Sequence, residues 1–162
     1  MSLTKHHSGQ TIVISFLIAF LLVELPIPAW ATIWRPSWVA IVLIYWCLAV
    51  PERVRVGSGW LAGLILDILG GSLLGQHALS LCIVAFIVGK FHQQIRVLPI
   101  WQQEICIFLL ITLYQLLILW INGIQGYPVP KWAYISSAFT STLIWPWAFI
   151  VLRDLRRKYQ VR

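Results

Sequence analysis

The sequence predicts an all-α, polytopic membrane protein of about six transmembrane helices, and three observations carry that expectation. Of its 162 residues 60% are hydrophobic and 10% charged, with a mean hydropathy of +0.84, which is more apolar surface than a water-soluble core of this size can hide. The apolar residues come in six runs, and no polar segment between them exceeds roughly a dozen residues, well short of the 50 or so that a soluble domain needs. A single integral domain over residues 1–162 follows. Lys and Arg gather on alternate connections, as the positive-inside rule requires of a chain that crosses a bilayer repeatedly.

Taking roughly 20 residues per span as the guide, helices are expected near 11–23, 37–50, 57–70, 79–91, 103–121 and 132–152. Breakers separate them. Pro26 and Pro28 follow the first run, Pro51 the second and Gly70-Gly71 the third, while Pro99 precedes the fifth and Asn122-Gly123 through Pro130 precede the sixth. The second and third runs are short for a span. Lys5, the apolar stretch Ile12 to Val23 and Ala29-Trp30-Ala31 also have the outline of a signal peptide. Glu24, Pro26, Pro28 and Trp30 crowd the cleavage position, and the next run follows at once, so a retained first helix is expected.

Orientation follows from the charges. Lys5, Arg53, Arg55, Lys90, Arg96 and the tail Arg153, Arg156, Arg157, Lys158 and Arg162 fall on one side, and Arg35 and Lys131 on the other. Both termini are therefore expected in the cytoplasm. Trp30, Trp34, Trp38, Trp120 and Trp132 fall at the outer helix ends and Trp46, Trp60 and Trp101 at the inner ones, where interfacial anchors belong. The net charge of +7 is thus a topology signal, and nucleic-acid binding, which needs a basic soluble face, is not expected.

The most informative stretch is GWLAGLILDILGGSLLG, which sets Gly59, Gly63, Asp67, Gly71 and Gly75 four residues apart. Residues at that spacing share a helix face, and in a membrane a small-residue stripe lets a second backbone approach closely. Two uses are open: packing inside the bundle, or a surface for a partner helix. Because four-residue steps drift about 40° around a helix, the five positions do not share one contact line, and a break at Gly70-Gly71 beside a cavity is consistent with the pattern. Asp67 is the only acid deep in a run. A buried carboxylate in a bilayer needs partners, supplied either by freed backbone N–H groups and neighbouring side chains or by a ligand. His77 is the candidate neighbour, provided the chain turns between them.

Arg35-Pro36 marks the outer entry of the second run, with Pro suited to a helix start and Arg to snorkelling or to a partner contact. The inner arginines suit topology and anionic headgroups, with docking to cytoplasmic components as the alternative. Cys47, Cys82 and Cys106 form no Cys-x-x-Cys pair, and His6, His7 and His92 have no co-ligands at metal spacing, so neither a disulfide framework nor a metal is expected. No nucleophile elbow, phosphate loop or second deep acid accompanies Asp67, so no enzyme activity and no cofactor is expected.

Several motifs occur in an order that resembles a known family. They are Arg35-Pro36-Ser37-Trp38-Val39, Leu43-Ile44-Tyr45-Trp46, Pro51-Glu52-Arg53-Val54-Arg55-Val56-Gly57, Gly63-x-x-x-Asp67 through Gly71-x-x-x-Gly75-Gln76-His77-Ala78-Leu79, and Trp145-Pro146-Trp147 before the basic tail. In order and spacing these resemble the rod shape-determining membrane protein family MreD, over essentially the whole chain. The resemblance implies a bacterial inner-membrane protein that partners MreC in the lateral cell-wall elongation machinery. MreB, RodA and a class B transpeptidase would be indirect partners. It also implies a fold like the S components of energy-coupling-factor transporters, with a cavity open toward the periplasm. The expected role is a non-catalytic scaffold for peptidoglycan synthesis; the alternative is a small-molecule or lipid-binding S-component-like transporter subunit.

Overall fold

A computed structural model describes residues 5–128, 130–159 and 161; the side chains of Lys5, His6 and His7, and Arg162 of the basic tail, lie outside that description. The described residues form seven helices and no strand: α1 (Lys5–Glu24), α2 (Ala29–Thr32), α3 (Trp38–Ala49), α4 (Val56–Gly70), α5 (Gln76–Val97), α6 (Ile100–Ile124) and α7 (Lys131–Lys158). By length and composition α5, α6 and α7 are each able to cross a membrane, while α3, α4 and the Gly9–Glu24 part of α1 are shorter apolar helices.

Helix α3 is the axis of the bundle. Its residues from Val39 to Leu48 are all buried, and α1, α4, α5 and α7 pack around it. A helix apolar on every side belongs inside a protein, which accounts for its unbroken VAIVLIYWCL sequence. At about 18 Å it is shorter than a hydrocarbon core of roughly 30 Å, and neighbouring helices rather than lipid surround it. Trp46 departs from the expected interfacial anchor: it is fully buried, and its Nε1 donates to Ser15 Oγ at 2.8 Å, tying α3 to α1. Trp30, Trp60, Trp101, Trp120 and Trp132 are exposed.

The apolar runs give the helices, but polarity does not end them. Helix α5 continues past Phe91 through His92–Arg96 and stops before Pro99, and α7 continues past Leu152 to Lys158. At Pro99 the missing N–H and fixed φ stop α5 where its hydrophilic side chains do not, whereas α7 runs on through Pro146. Asn122-Gly123, read as a breaker, lies in the last turn of α6. The single turn α2 falls in the Pro-rich connection, where no helix is expected from the sequence.

Helices α4 and α5 form the closest pair, and glycine explains the contact. A Cβ on Gly59 would lie 2.9 Å from Leu81 O, and one on Gly63 only 2.2 Å from Ala78 Cα. Gly71 and Gly75 serve differently: both adopt positive φ, at 61° and 101°, in the turn that reverses the chain. The stripe therefore divides into a packing half and a turning half, and its packing half is covered by α5 of the same chain.

Candidate functional site

The connection between α4 and α5 is organised by Asp67, which is 1% exposed. Its backbone carbonyl accepts from the N–H of Gly71 and, at 3.1 Å, of Ser72, the pattern of a helix closed by a left-handed glycine. Its side chain reaches across the turn. Oδ2 accepts from Gly75 N at 2.8 Å and Ala78 N at 3.4 Å, while Oδ1 accepts from His77 N at 3.0 Å, His77 Nδ1 at 2.8 Å and Ser72 Oγ at 2.8 Å. Gly75, the residue before α5, has no side chain with which to cap it. Asp67 supplies the cap from eight residues upstream, and its negative charge sits at the positive end of the α5 dipole. Such multiple N–H donation is what a buried carboxylate requires.

With Nδ1 engaged by Asp67, His77 keeps Nε2 as its remaining hydrogen-bonding atom. The ring is 22% exposed, lies 6.2 Å from the Tyr114 ring, and borders a cavity of about 310 Å³. Arg35, Pro36, Tyr114, Gln115 and Ser137 also line that cavity, and Leu66 brings its wall next to Asp67. It lies at the end of the bundle formed by the C-termini of α1, α4 and α6 and the N-termini of α3, α5 and α7.

One wall is a polar network. Gln115 Nε2 donates to Ser37 Oγ at 2.8 Å and to Ser137 Oγ at 3.0 Å; Ser137 Oγ donates to Arg35 O at 2.8 Å; Ser37 N donates to Ser141 Oγ at 2.9 Å. Ser136 Oγ adds a bond to Ile33 O at 2.6 Å. These bonds pin the segment preceding α3 onto α6 and α7. Arg35 Nη2 donates to Leu25 O at 2.5 Å, while its buried Nε has no partner among the described residues. Arg35 therefore folds back onto the end of α1.

Four of the residues singled out in the sequence thus converge: Arg35 and Pro36 border the cavity, His77 borders it, and Asp67 holds His77. Gly59 and Gly63 lie along the α4–α5 contact, and Gly71 and Gly75 shape the turn. Gln115, Ser137 and Ser141 were not singled out. Their signal is the run Ser136-Ser137-x-x-Thr140-Ser141-Thr142, which puts hydroxyls on adjacent turns of an apolar helix. The site offers a guanidinium, an imidazole and an amide for hydrogen bonding. Among the described residues no three His, Cys, Asp or Glu side chains converge as metal ligands.

The family model for the rod shape-determining protein MreD matches residues 7–155, from α1 to the last turns of α7. The chain belongs to the MreD family. It is 37% identical over 151 residues to the rod shape-determining protein MreD of Haemophilus influenzae, with 93% of each chain covered. The Asp67 clamp, the Arg35 cavity and the glycine contact all fall within this MreD match. No solved structure matches the chain, so the S-component likeness that the resemblance implies has no counterpart in the comparisons. The sequence and the apolar helices together make this MreD-family chain a membrane protein.

Proposed function

We propose that this chain is a non-catalytic inner-membrane scaffold of the bacterial cell-elongation complex. It binds MreC, and through that contact helps position and regulate lateral peptidoglycan synthesis so that rod shape is maintained. MreB, RodA and the class B transpeptidase are reached indirectly. The chain crosses the inner membrane six times as one integral domain with both termini in the cytoplasm, which sets the Arg35 cavity on the periplasmic side.

The observation that carries this reading is the 37% identity, over 93% of the chain, to a rod shape-determining protein. Two features support a scaffold over an enzyme. The carboxylate oxygens of Asp67 are occupied by backbone and side-chain donors of the chain itself, so they hold structure. Large apolar side chains such as Leu21, Leu61, Ile68, Leu109 and Leu143 are exposed along the helices, a surface for lipid or for another transmembrane helix. The basic residues Arg55, Lys90, Arg96, Arg153 and Arg156 all border cavities at the end opposite Asp67, in keeping with cytoplasmic termini.

The test is affinity capture of the tagged chain from a rod-shaped bacterium, together with its depletion. Copurification of MreC and rounding of depleted cells are expected. A chain that captures no MreC, or whose loss leaves rods intact, overturns the reading. The Arg35 cavity, with His77 and Gln115 in its wall, favours a second reading, an S-component-like subunit that holds a small molecule or lipid. That reading requires a defined solute retained through purification and a partner with ATPase activity.

A further inference from the structure

At the end of the bundle opposite Asp67, the C-termini of α3, α5 and α7 and the start of α6 enclose a cavity of about 190 Å³. Arg96 from α5 and Arg153 and Arg156 from α7 line it, together with Tyr45 of α3 and Gln103 of α6. Tyr45 is 2% exposed and Gln103 5%, and both border the cavity. The cavity wall thus sets a hydroxyl and an amide beside three guanidiniums, all of them able to donate hydrogen bonds to one acceptor. The Tyr45 ring is held edge-on against Trp46 and Phe149, with centroids 5.3 and 5.7 Å away, so its hydroxyl has a fixed place.

The charges are also unbalanced. Arg96 and Arg156 have no carboxylate partner among the described residues. Arg153 has Asp154 at 3.6 Å, a solvent-exposed pair of the kind that contributes little. Cations favour helix C-termini because they complement the macrodipole, which accounts for Arg96 in the last turn of α5 and Arg156 in the last turn of α7. It does not account for three guanidiniums meeting at one cavity with a hydroxyl and an amide.

We propose that this cavity binds the phosphodiester of an anionic glycerophospholipid, with the guanidiniums of Arg96, Arg153 and Arg156 on the phosphate and Tyr45 and Gln103 donating hydrogen bonds. Planar guanidiniums match the oxygens of a phosphate group in paired hydrogen bonds. A lipid fits better than a free phosphate because the rest of the lining is apolar, with Leu48, Leu98 and Phe149, and because Val97, Ile100 and Trp101 beside it are exposed at 85%, 60% and 62%. These give the glycerol backbone and acyl chains a surface that inorganic phosphate would not use. The site is independent of the scaffold reading and needs only that the chain is a membrane protein.

The test is native mass spectrometry of the full chain in detergent, titrated with phosphatidylglycerol, phosphatidylcholine or inorganic phosphate. The wild type is compared with R96Q/R156Q and with R157Q/K158Q, which removes the same charge from the tail. Phosphatidylglycerol retention is expected to fall at least about tenfold in R96Q/R156Q, because charge-assisted hydrogen bonds are lost, and to stay within about twofold in R157Q/K158Q. Tyr45→Phe, which removes one hydroxyl and no packing, is expected to lower retention about threefold with an unchanged melting temperature; this keeps the proposal falsifiable if the double variant fails to fold. Equal losses in the two double variants, no preference for phosphatidylglycerol over phosphatidylcholine, or saturation by inorganic phosphate alone would each overturn it. So would unchanged lipid retention in R96Q/R156Q together with loss of binding to an acidic peptide.

Discussion

The two ends of the bundle handle charge in opposite ways. At one end a single carboxylate, Asp67, is buried and receives hydrogen bonds from Ser72, Gly75 and His77 of its own chain. At the other, Arg96 and Arg156 border a cavity and meet no carboxylate among the described residues. Both arrangements keep charge out of contact with lipid tails, the first by internal hydrogen bonds and the second by position at the end of the bundle. An internally satisfied charge contributes to stability and is indifferent to what surrounds the protein. An unsatisfied one contributes little to stability and responds to its surroundings. Substitutions at the first end should therefore be read out in folding, and those at the second in binding.

The largest effect is expected where the Asp67 end is built, at the α4–α5 contact. Gly63→Leu puts side-chain atoms where even a Cβ lies 2.2 Å from Ala78 Cα. Backbone cannot yield as a flexible side chain can, so the helices must separate and the Asp67 clamp opens with them. The expected outcome is loss of a monodisperse peak in size-exclusion chromatography. Gly89→Ala is the matched control, because its Cβ would meet nothing within 4 Å; a change within about 0.5 kcal/mol is expected there. If both variants behave alike, the contact is not what holds the hairpin.

Next in size is Asp67 itself. Asp67→Ala leaves the N–H groups of Gly75 and His77 without an acceptor in a part-buried turn, and a loss of roughly 3 kcal/mol is expected, since each stranded donor costs about 1–3 kcal/mol. Asp67→Asn keeps one acceptor but turns an NH2 group toward the same donors, so a smaller loss of about 2 kcal/mol is expected. Thermal unfolding in detergent checks both. Equal melting temperatures for wild type and Asp67→Ala would mean that solvent or detergent satisfies the turn and that the clamp is dispensable.

How much of this was legible in the sequence depends on how far apart the partners lie. The helices follow from apolar runs and breakers, because burying an apolar face is a local property of the chain. The Asp67–His77 pairing was also within reach, since a separation of ten residues with three glycines between them leaves room for one reversal. The Gln115–Ser37–Ser137 network was not. Its members lie 22 to 100 residues apart, and a serine in an apolar helix bonds to its own preceding turn as readily as to a neighbour; Ser141 does both, donating to Ser137 O and accepting from Ser37 N. Trp46 misled for a related reason. An indole at a helix end suits the interface, and only the position of Ser15 on another helix decides that this one turns inward.

A third, smaller effect belongs to that network. Gln115→Leu removes both amide donations while filling similar space, and hydrogen bonds between helices in a membrane contribute about 0.6 kcal/mol each on average. A loss of about 1 kcal/mol in thermal unfolding is expected. A double-mutant cycle with Ser137→Ala should show coupling, because both act through the same bond. Additive losses would mean that the hydroxyls have already found other partners, and that the segment before α3 is held by packing.

The smallest stability effect is expected at the arginine end, and it sharpens the contrast most. Arg156→Gln removes a half-buried cation that has no partner among the described residues, so in lipid-free detergent the change should be within about 0.5 kcal/mol. Adding phosphatidylglycerol separates the variants, because a ligand bound only by the folded state raises stability by an amount set by its concentration over its dissociation constant. The wild type should therefore gain thermal stability with lipid and Arg156→Gln should gain less, while Asp67→Asn, low at the start, should gain as much as wild type. If lipid rescues Asp67→Asn and Arg156→Gln to different degrees in that order, the two ends are independent sites of charge. If it stabilises Arg156→Gln as fully as wild type, the unpaired arginines respond to the bilayer as a whole rather than to a lipid in the cavity.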